Sequence, residues 1–208
     1  MTKSALDLYE KYFQERQFER LNLFQIVADK FNVKRALYAG SFVHITPSFV
    51  LPDVVYVDND KQAKQFFSNP EIFKLIAARK IYPQEAKVSF HFADYRNGFD
   101  EIIGSFDLLI SQYAGFVGQY CKQYLKTGGL LLANNSHGDA GRAAVDDDYR
   151  LLAVFSAKNE KYKISEDHLN EYFVPKSQVE ITREYLETLQ KGIGYKKTAS
   201  VYLFQKVQ

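Results

Sequence analysis

"RALYAGSFVHITPSFVLPDVVYVDND", residues 35–60, reads as an apolar strand, a glycine, a short segment bounded by prolines, and a second apolar strand that stops on acids. Neither strand alternates polar with apolar residues, as burial on both faces of a parallel sheet demands. Gly40 follows the first strand, where a turn beside a ligand needs positive φ and close approach to the backbone. Between the strands, Thr46 offers an N-cap, Pro47 suits a first helical position and Pro52 ends the turn, so residues 47–51 have room for one or two helical turns. The N–H groups at that helix start suit a carboxylate; alternatively, the segment only reverses the chain. Asp58 ends the second strand, and Asp60 caps a helix whose Ala63, Phe66 and Phe67 face the core at i, i+3 and i+4.

Outward from this unit, strands and helices alternate. Strands are expected at 34–39, 54–58, 88–94, 106–112 and 130–134, with helices at 61–68, 71–79, near 97–103 and at about 116–126. In residues 4–31 apolar side chains recur every three to four positions among many charges, so the N-terminal region, 1–33, is expected to cover the sheet as one or two helices. "DDYRLLAVFS" and "KKTASVYLFQKV" read as late strands around a polar helical stretch at 177–191, and this final pair suits an antiparallel C-terminal edge. The expected class is therefore α/β: a doubly wound, mostly parallel sheet. No repeat or Pro/Gly/Ser-rich linker divides the chain, and 1–208 reads as one domain.

Composition narrows the classes of partner. The chain has 208 residues, 46% hydrophobic and 15% aromatic, with 27 Lys and Arg against 25 Asp and Glu. That near balance gives no general attraction to nucleic acid or to a membrane surface. No stretch has signal-peptide or membrane-spanning character, and a cytoplasmic protein is expected. Cys121 is the single cysteine, which excludes an intramolecular disulfide and a cysteine-based metal cluster. It lies at helical spacing among Val117, Tyr120, Tyr124 and Leu125 and is expected in the core.

The layout of residues 35–135 resembles the class I S-adenosylmethionine-dependent methyltransferases. "RALYAGSF", "VVYVDND" and "VSFHFADY" stand where that family has its glycine turn, its ribose-binding acid and the acid beside the adenine, and "FDLLISQYAGF" with "YLKTGGLLLANN" stands at its fourth and fifth strands. The resemblance implies an S-adenosylmethionine site at Gly40, Ser41, Asp58, Asn59, Asp94, Tyr95 and Ser111. Asp58 also follows Gly40 at close to the interval of about 20 residues at which nucleotide-binding folds place a ribose acid. The turn departs from the family pattern: Tyr38 stands where an acid is expected, and Phe42 and His44 stand where further glycines fall. These side chains either fill the methionine part of the pocket or contact the ligand edge-on.

Reactive groups in an open parallel sheet follow the strands' carboxyl ends. "SQYAGF" supplies Ser111, Gln112 and Tyr113, and "NNSHGDAGR" supplies Asn134, Asn135, Ser136, His137, Asp139 and Arg142. His137 suits a general base, with Asp139 to orient it, and Tyr113 is the second candidate for orienting or deprotonating an acceptor. The same loop also reads as an ordinary turn and cap before a helix through "RAAV". His91 and His168 read as structural or solvated. No metal-ligand spacing and no phosphate-binding Gly-x-x-x-x-Gly-Lys loop is present, and the fourth strand lacks the Asn/Asp-Pro-Pro-aromatic sequence of methyltransferases that act on bases. The expected activity is methyl transfer to a small molecule, with neither nucleic acid nor membrane as partner. Two alternatives stay open: a non-catalytic methyltransferase-like binding module, and a nicotinamide-dependent oxidoreductase, against which stands the absence of Gly-x-Gly-x-x-Gly.

Overall fold

A computed structural model describes residues 5–178 and 180–208. The chain opens with α1 (Ala5–Tyr9), a π-helical turn (Glu10–Gln14) and α2 (Leu21–Phe31); β1 (Arg35–Ala39), α3 (Pro47–Val50) and β2 (Asp53–Asp58) then form the unit read first from the sequence. Next come α4 (Lys61–Phe67), α5 (Pro70–Arg79), β3 (Lys87–Phe92), β4 (Phe106–Ser111), α6 (Val117–Tyr120), β5 (Leu125–Ala133), α7 (Asp139–Ala144), β6 (Tyr149–Lys158), β7 (Lys161–Ser165), α8 (Arg183–Leu189) and β8 (Val201–Lys206). Residues 1–4 of the expected N-terminal helical region, and Val179 of the expected 177–191 helix, lie outside the described residues.

All eight strands join one sheet, in the order β3-β2-β1-β4-β5-β8-β6-β7. The first five pair in parallel, and the last three join them antiparallel. Alternate residues of each central strand feed two cores. Ala36, Tyr38, Val54, Tyr56, Leu108 and Ile110 enter one, whereas Leu37, Ala39, Val55, Val57, Leu109 and Leu131 enter the other. A period of two with apolar residues on both sides is the physical content of the unbroken runs "VVYV" and "DLLI". Helices α1 to α5 contribute to the first core, and α6, Cys121 and α7 to the second. Cys121 is fully buried, as its helical spacing predicts.

Helix capping explains two local starts. Asp60 accepts from the backbone N–H groups of Gln62 and Ala63 at the head of α4, and Asn69 accepts from Glu71 N–H before Pro70 opens α5, as the preferred cap residues do. Helix α3 forms as expected, but Thr46 does not cap it; its hydroxyl shares a 2.8 Å hydrogen bond with Tyr9. Every residue of α3 is buried, so its N-terminus offers no carboxylate site.

Three expectations are corrected. No helix forms at 97–103: a 3-10 turn (Tyr95–Asn97) stops at Gly98, whose φ is +78°, and Ile102 and Ile103 are left 72% and 68% exposed. The apolar residue there that does pack is Phe99, whose ring lies 4.4 Å from Tyr124's and whose N–H and C=O both bond the Tyr124 hydroxyl. The expected 116–126 helix shrinks to α6 and a 3-10 turn (Lys122–Tyr124), because the Gln123 and Tyr124 carbonyls accept from Gly104 and Ser105 and draw the chain into β5. The 177–191 helix is only α8, capped by Thr182. The antiparallel C-terminal edge forms as expected: β8, whose Val201, Tyr202, Leu203 and Phe204 are buried, lies between β5 and β6, and β7, which the sequence did not reveal, is the outermost strand.

Helices α6 and α7 are locked together by Asp139. Its buried carboxylate accepts from the Gly118 N–H at 3.0 and 3.2 Å and bonds Ser111. Burial raises its pKa to about 6 from the ordinary 3.8, against the opposing effect of these hydrogen bonds. A carboxyl that holds its proton more tightly when folded adds stability below its unfolded pKa, and that stability is lost as pH rises through the folded value. Unfolding by urea across pH 3.5–7 should therefore show a loss of roughly 3 kcal/mol from this group in the wild type. In Asp139→Asn that part of the slope should vanish, and an unchanged slope would show that Asp139 titrates normally.

Candidate functional site

Strand order reverses between β1 and β4, and the crevice at their carboxyl ends is where open parallel sheets bind ligands. Gly40 sits there with φ +65°, its N–H bonded to the Val57 carbonyl at 2.8 Å. A Cβ placed on it would lie 2.2 Å from the Ala114 Cβ. The close approach that requires glycine is thus made by the chain's own 113–116 loop. The Tyr95 hydroxyl donates to the Ala114 carbonyl and holds that loop down; burial raises the Tyr95 pKa to about 12 and keeps the donor protonated.

Asp58 is tied to the same turn. One carboxylate oxygen accepts from Phe42 N–H at 2.7 Å and the other from Asp60 N–H at 2.8 Å. These bonds leave further lone pairs on a half-buried carboxylate. Asp94 caps the 3-10 turn through Arg96 N–H and pairs with the Arg96 guanidinium, and that pairing first of all lowers its pKa. Gly40, Asp58, Asn59, Asp94, Tyr95 and Arg96 together line a cavity of about 160 Å³.

A second cavity, about 600 Å³, brings together Tyr95, Arg96, Tyr113, Phe116, Tyr120 and His137. His137 is exposed, and its Nδ1 lies 3.0 Å from Ser136 Oγ. Ser136 gives its proton to Asn134 Oδ1 at 2.8 Å, so Nδ1 is the donor toward Ser136 and Nε2 is left free to accept. Asp139 does not orient this imidazole; it faces Gly118 and Ser111. Ser111 is likewise buried against Asp139 and lines none of the three cavities described at this end of the sheet. Arg142 is drawn into pairs with Asp146 and Glu187. His91 pairs with Glu101 and His168 with Glu171.

A third cavity, about 330 Å³, lies between the N-terminal segment and the β1 turn, and Gly40, Ser41, Phe42, Gln112 and Tyr113 reach it. Tyr38 and His44, standing where the family pattern has an acid and a glycine, bond each other at 3.0 Å. His44 Nε2 also donates to the Glu19 carbonyl at 3.0 Å, so Nδ1 accepts from Tyr38. Burial first, and then the charge of Arg20, lower the His44 pKa to about 3, and it stays neutral. Sequence reasoning missed Tyr12, Phe13, Arg16, Phe18 and Arg20 in this wall. Their amphipathic spacing told only of helical cover, and no local signal marks Arg20 as lying 92 residues from its partner Gln112.

Gly40→Ala places a side chain both in the left-handed region and against Ala114, and should cost at least about 2 kcal/mol in urea unfolding. Adding Ala114→Gly should return the steric part of that loss; no recovery would show that Ala114 is not what confines Gly40.

No family model matches the chain, and no curated protein matches its sequence. Similar solved structures are found. A methyltransferase from Thermotoga maritima described as S-adenosylmethionine-dependent is 11% identical, with a TM-score of 0.52 over 98% of this chain and 96% of that one. A methyltransferase from Geobacter sulfurreducens is 14% identical, with a TM-score of 0.50 over 74% of this chain and 86% of that one. The YcgJ protein of Bacillus subtilis is 19% identical, with a TM-score of 0.42 over 55% of this chain, which spans about half (49%) of that protein. With its five parallel strands, the inserted antiparallel β8 and its likeness to the Thermotoga and Geobacter structures, the chain has the class I S-adenosylmethionine-dependent methyltransferase-like fold.

Proposed function

We propose that the protein is a methyltransferase acting on a small molecule, with S-adenosylmethionine as cofactor. The observation that carries this reading is the convergence of Gly40, Asp58, Asn59, Asp94 and Tyr95 on one cavity at the ends of β1, β2 and β3, adjoining through Tyr95 the cavity of Tyr113 and His137. Asp58 has lone pairs for the ribose hydroxyls, and Tyr95 offers a ring face toward the adenine. The fit is incomplete over Gly40, where Ala114 lies; binding there requires the 113–116 loop to lift, and its reversible hold on Tyr95 is a single hydrogen bond. S-adenosylmethionine, when bound, supplies an electrophilic methyl group. The chain's own work is to hold an acceptor in line and exclude water, with Tyr113 orienting it and the free Nε2 of His137 taking its proton. We take residues 1–208 as one domain working in the cytoplasm, with neither nucleic acid nor membrane as partner. No described helix is long and apolar enough to cross a membrane.

Ala114 over Gly40, and Tyr38 with His44 filling the turn, favour a second reading: a methyltransferase-like module that binds without catalysis. Calorimetry with S-adenosylhomocysteine separates the two. The wild type should bind, and Asp58→Ala should weaken binding by about 1–3 kcal/mol. An affinity unchanged in a folded variant contradicts the ribose assignment, and no binding by the wild type favours the module. Once an acceptor is in hand, His137→Ala should lower turnover about 10²–10⁴-fold with cofactor affinity retained; full turnover would remove His137 from the reaction.

A further inference from the structure

Arg20 is 6% exposed and its guanidinium carries a charge that has no carboxylate partner among the described residues. The residues outside that set, Met1, Thr2, Lys3, Ser4 and Val179, have no side-chain carboxylate to give it. Its hydrogen bonds go to neutral acceptors: the Gln112 amide oxygen and, at 2.9 Å, the Tyr113 hydroxyl. Its Nε has no partner at all. The guanidinium lies over the Phe18 ring at 4.0 Å and the Tyr113 ring at 5.0 Å, and it lines the 330 Å³ cavity. Arginine cannot shed its proton to relieve such burial. The other deeply buried arginine, Arg142, is satisfied by Asp146 and Glu187, which is the ordinary solution.

The cavity around it is under backbone strain. Arg20, Phe42 and Tyr113 all contribute to its wall and all have positive φ, at 59°, 49° and 64°. Non-glycine residues are held in that region only where the surroundings over-determine them, and such residues cluster at ligand sites. Aromatic rings make up much of its surface, with Tyr12 and Phe42 edge-on at 5.3 Å and Phe18 against Tyr113 at 5.6 Å. No acidic side chain lines it, and Arg16 stands beside Arg20 in the lining.

We infer that this cavity is the acceptor site, and that it takes a carboxylate carried on an apolar, planar body. The carboxylate supplies the charge that Arg20 lacks, and the rings pack against the body. Its volume falls within the range of about 300–1,000 Å³ usual for small-molecule sites. An amino acid suits it poorly, because an α-ammonium would meet two arginines and no acid; this points to the acceptor and away from the cofactor's own amino-acid end. Tyr113 is shared with the His137 cavity and would stand between the held carboxylate and the reacting end. The word acceptor rests on the methyl-transfer reading; the carboxylate site does not.

Calorimetry with benzoate, cinnamate and neutral benzamide tests the inference. The wild type should bind at least one of the two carboxylates at least tenfold more tightly than benzamide. Arg20→Met should lose that binding at least tenfold while its thermal midpoint stays level or rises, since a buried unpaired charge is replaced by an apolar chain of similar length. Gln112→Glu, which supplies the missing carboxylate from within, should lose it too. Equal affinity for benzamide, no binding of either acid by the wild type, or undiminished binding in Arg20→Met overturns the inference. Displacement of the bound acid by S-adenosylhomocysteine in direct competition also overturns it, by giving the carboxylate site to the cofactor. Arg20-dependent binding of the acid without any binding of S-adenosylhomocysteine upholds the carboxylate site and tells against methyl transfer alone.

Discussion

Burial of both sheet faces is the constraint from which the rest of the molecule follows. Alternate side chains of β1, β2, β4 and β5 enter two separate apolar cores, so inside the sheet there is no position for a wet polar group. Functional side chains are displaced to where the strands stop. Gly40, Asp58, Asp94 and Gln112 all stand just at or beyond a strand's carboxyl end, and the reversal of strand order between β1 and β4 opens the gap into which they point.

The turn after β1 shows how a chain keeps this geometry with an altered sequence. A carboxylate at the end of β2 grips Phe42 N–H, and a buried tyrosine–histidine pair fills the space below. The N-terminal segment is then fastened on top. Glu19 holds Arg79 of α5 and the Tyr9 hydroxyl through its side chain and receives His44 Nε2 through its carbonyl. The turn is thus held by contacts within the chain, with Ala114 seated on the glycine. A ligand across Gly40 competes with that contact, and affinity there depends on how easily the 113–116 loop gives way.

Electrostatics divides the two ends of this region. Around Asp146, buried charges are matched: Lys122, Arg142 and Arg183 converge on it, and Glu187 and Asp148 complete the set. That network knits α7 and α8 to the segment before β6. Around Arg20 the charge is set among neutral acceptors and rings. The first arrangement is what a structural ion network needs, and the second is an incomplete one that holds a permanent positive field beside Gly40.

The sequence alone determined the strands of the parallel half, the helices α4 and α5 with Asp60 as the cap of α4, and the positions of Gly40 and Asp58, because these depend on local periodicity and on residue types with strong local preferences. It also located the SQY and NNSHGD loops, although not what their side chains touch. Tertiary structure decided the rest. It turned 97–103 into a loop by packing Phe99 on Tyr124, ended the helix at Tyr120 by pairing Gln123 and Tyr124 with Gly104 and Ser105, and slid β8 inside the sheet. It also set Asp139 on Gly118 instead of His137, and carried Arg20 from a helical cover to the end of β4. Each of these rests on contacts between residues far apart in the chain, whose energies have no signature in the local pattern of apolar and polar residues.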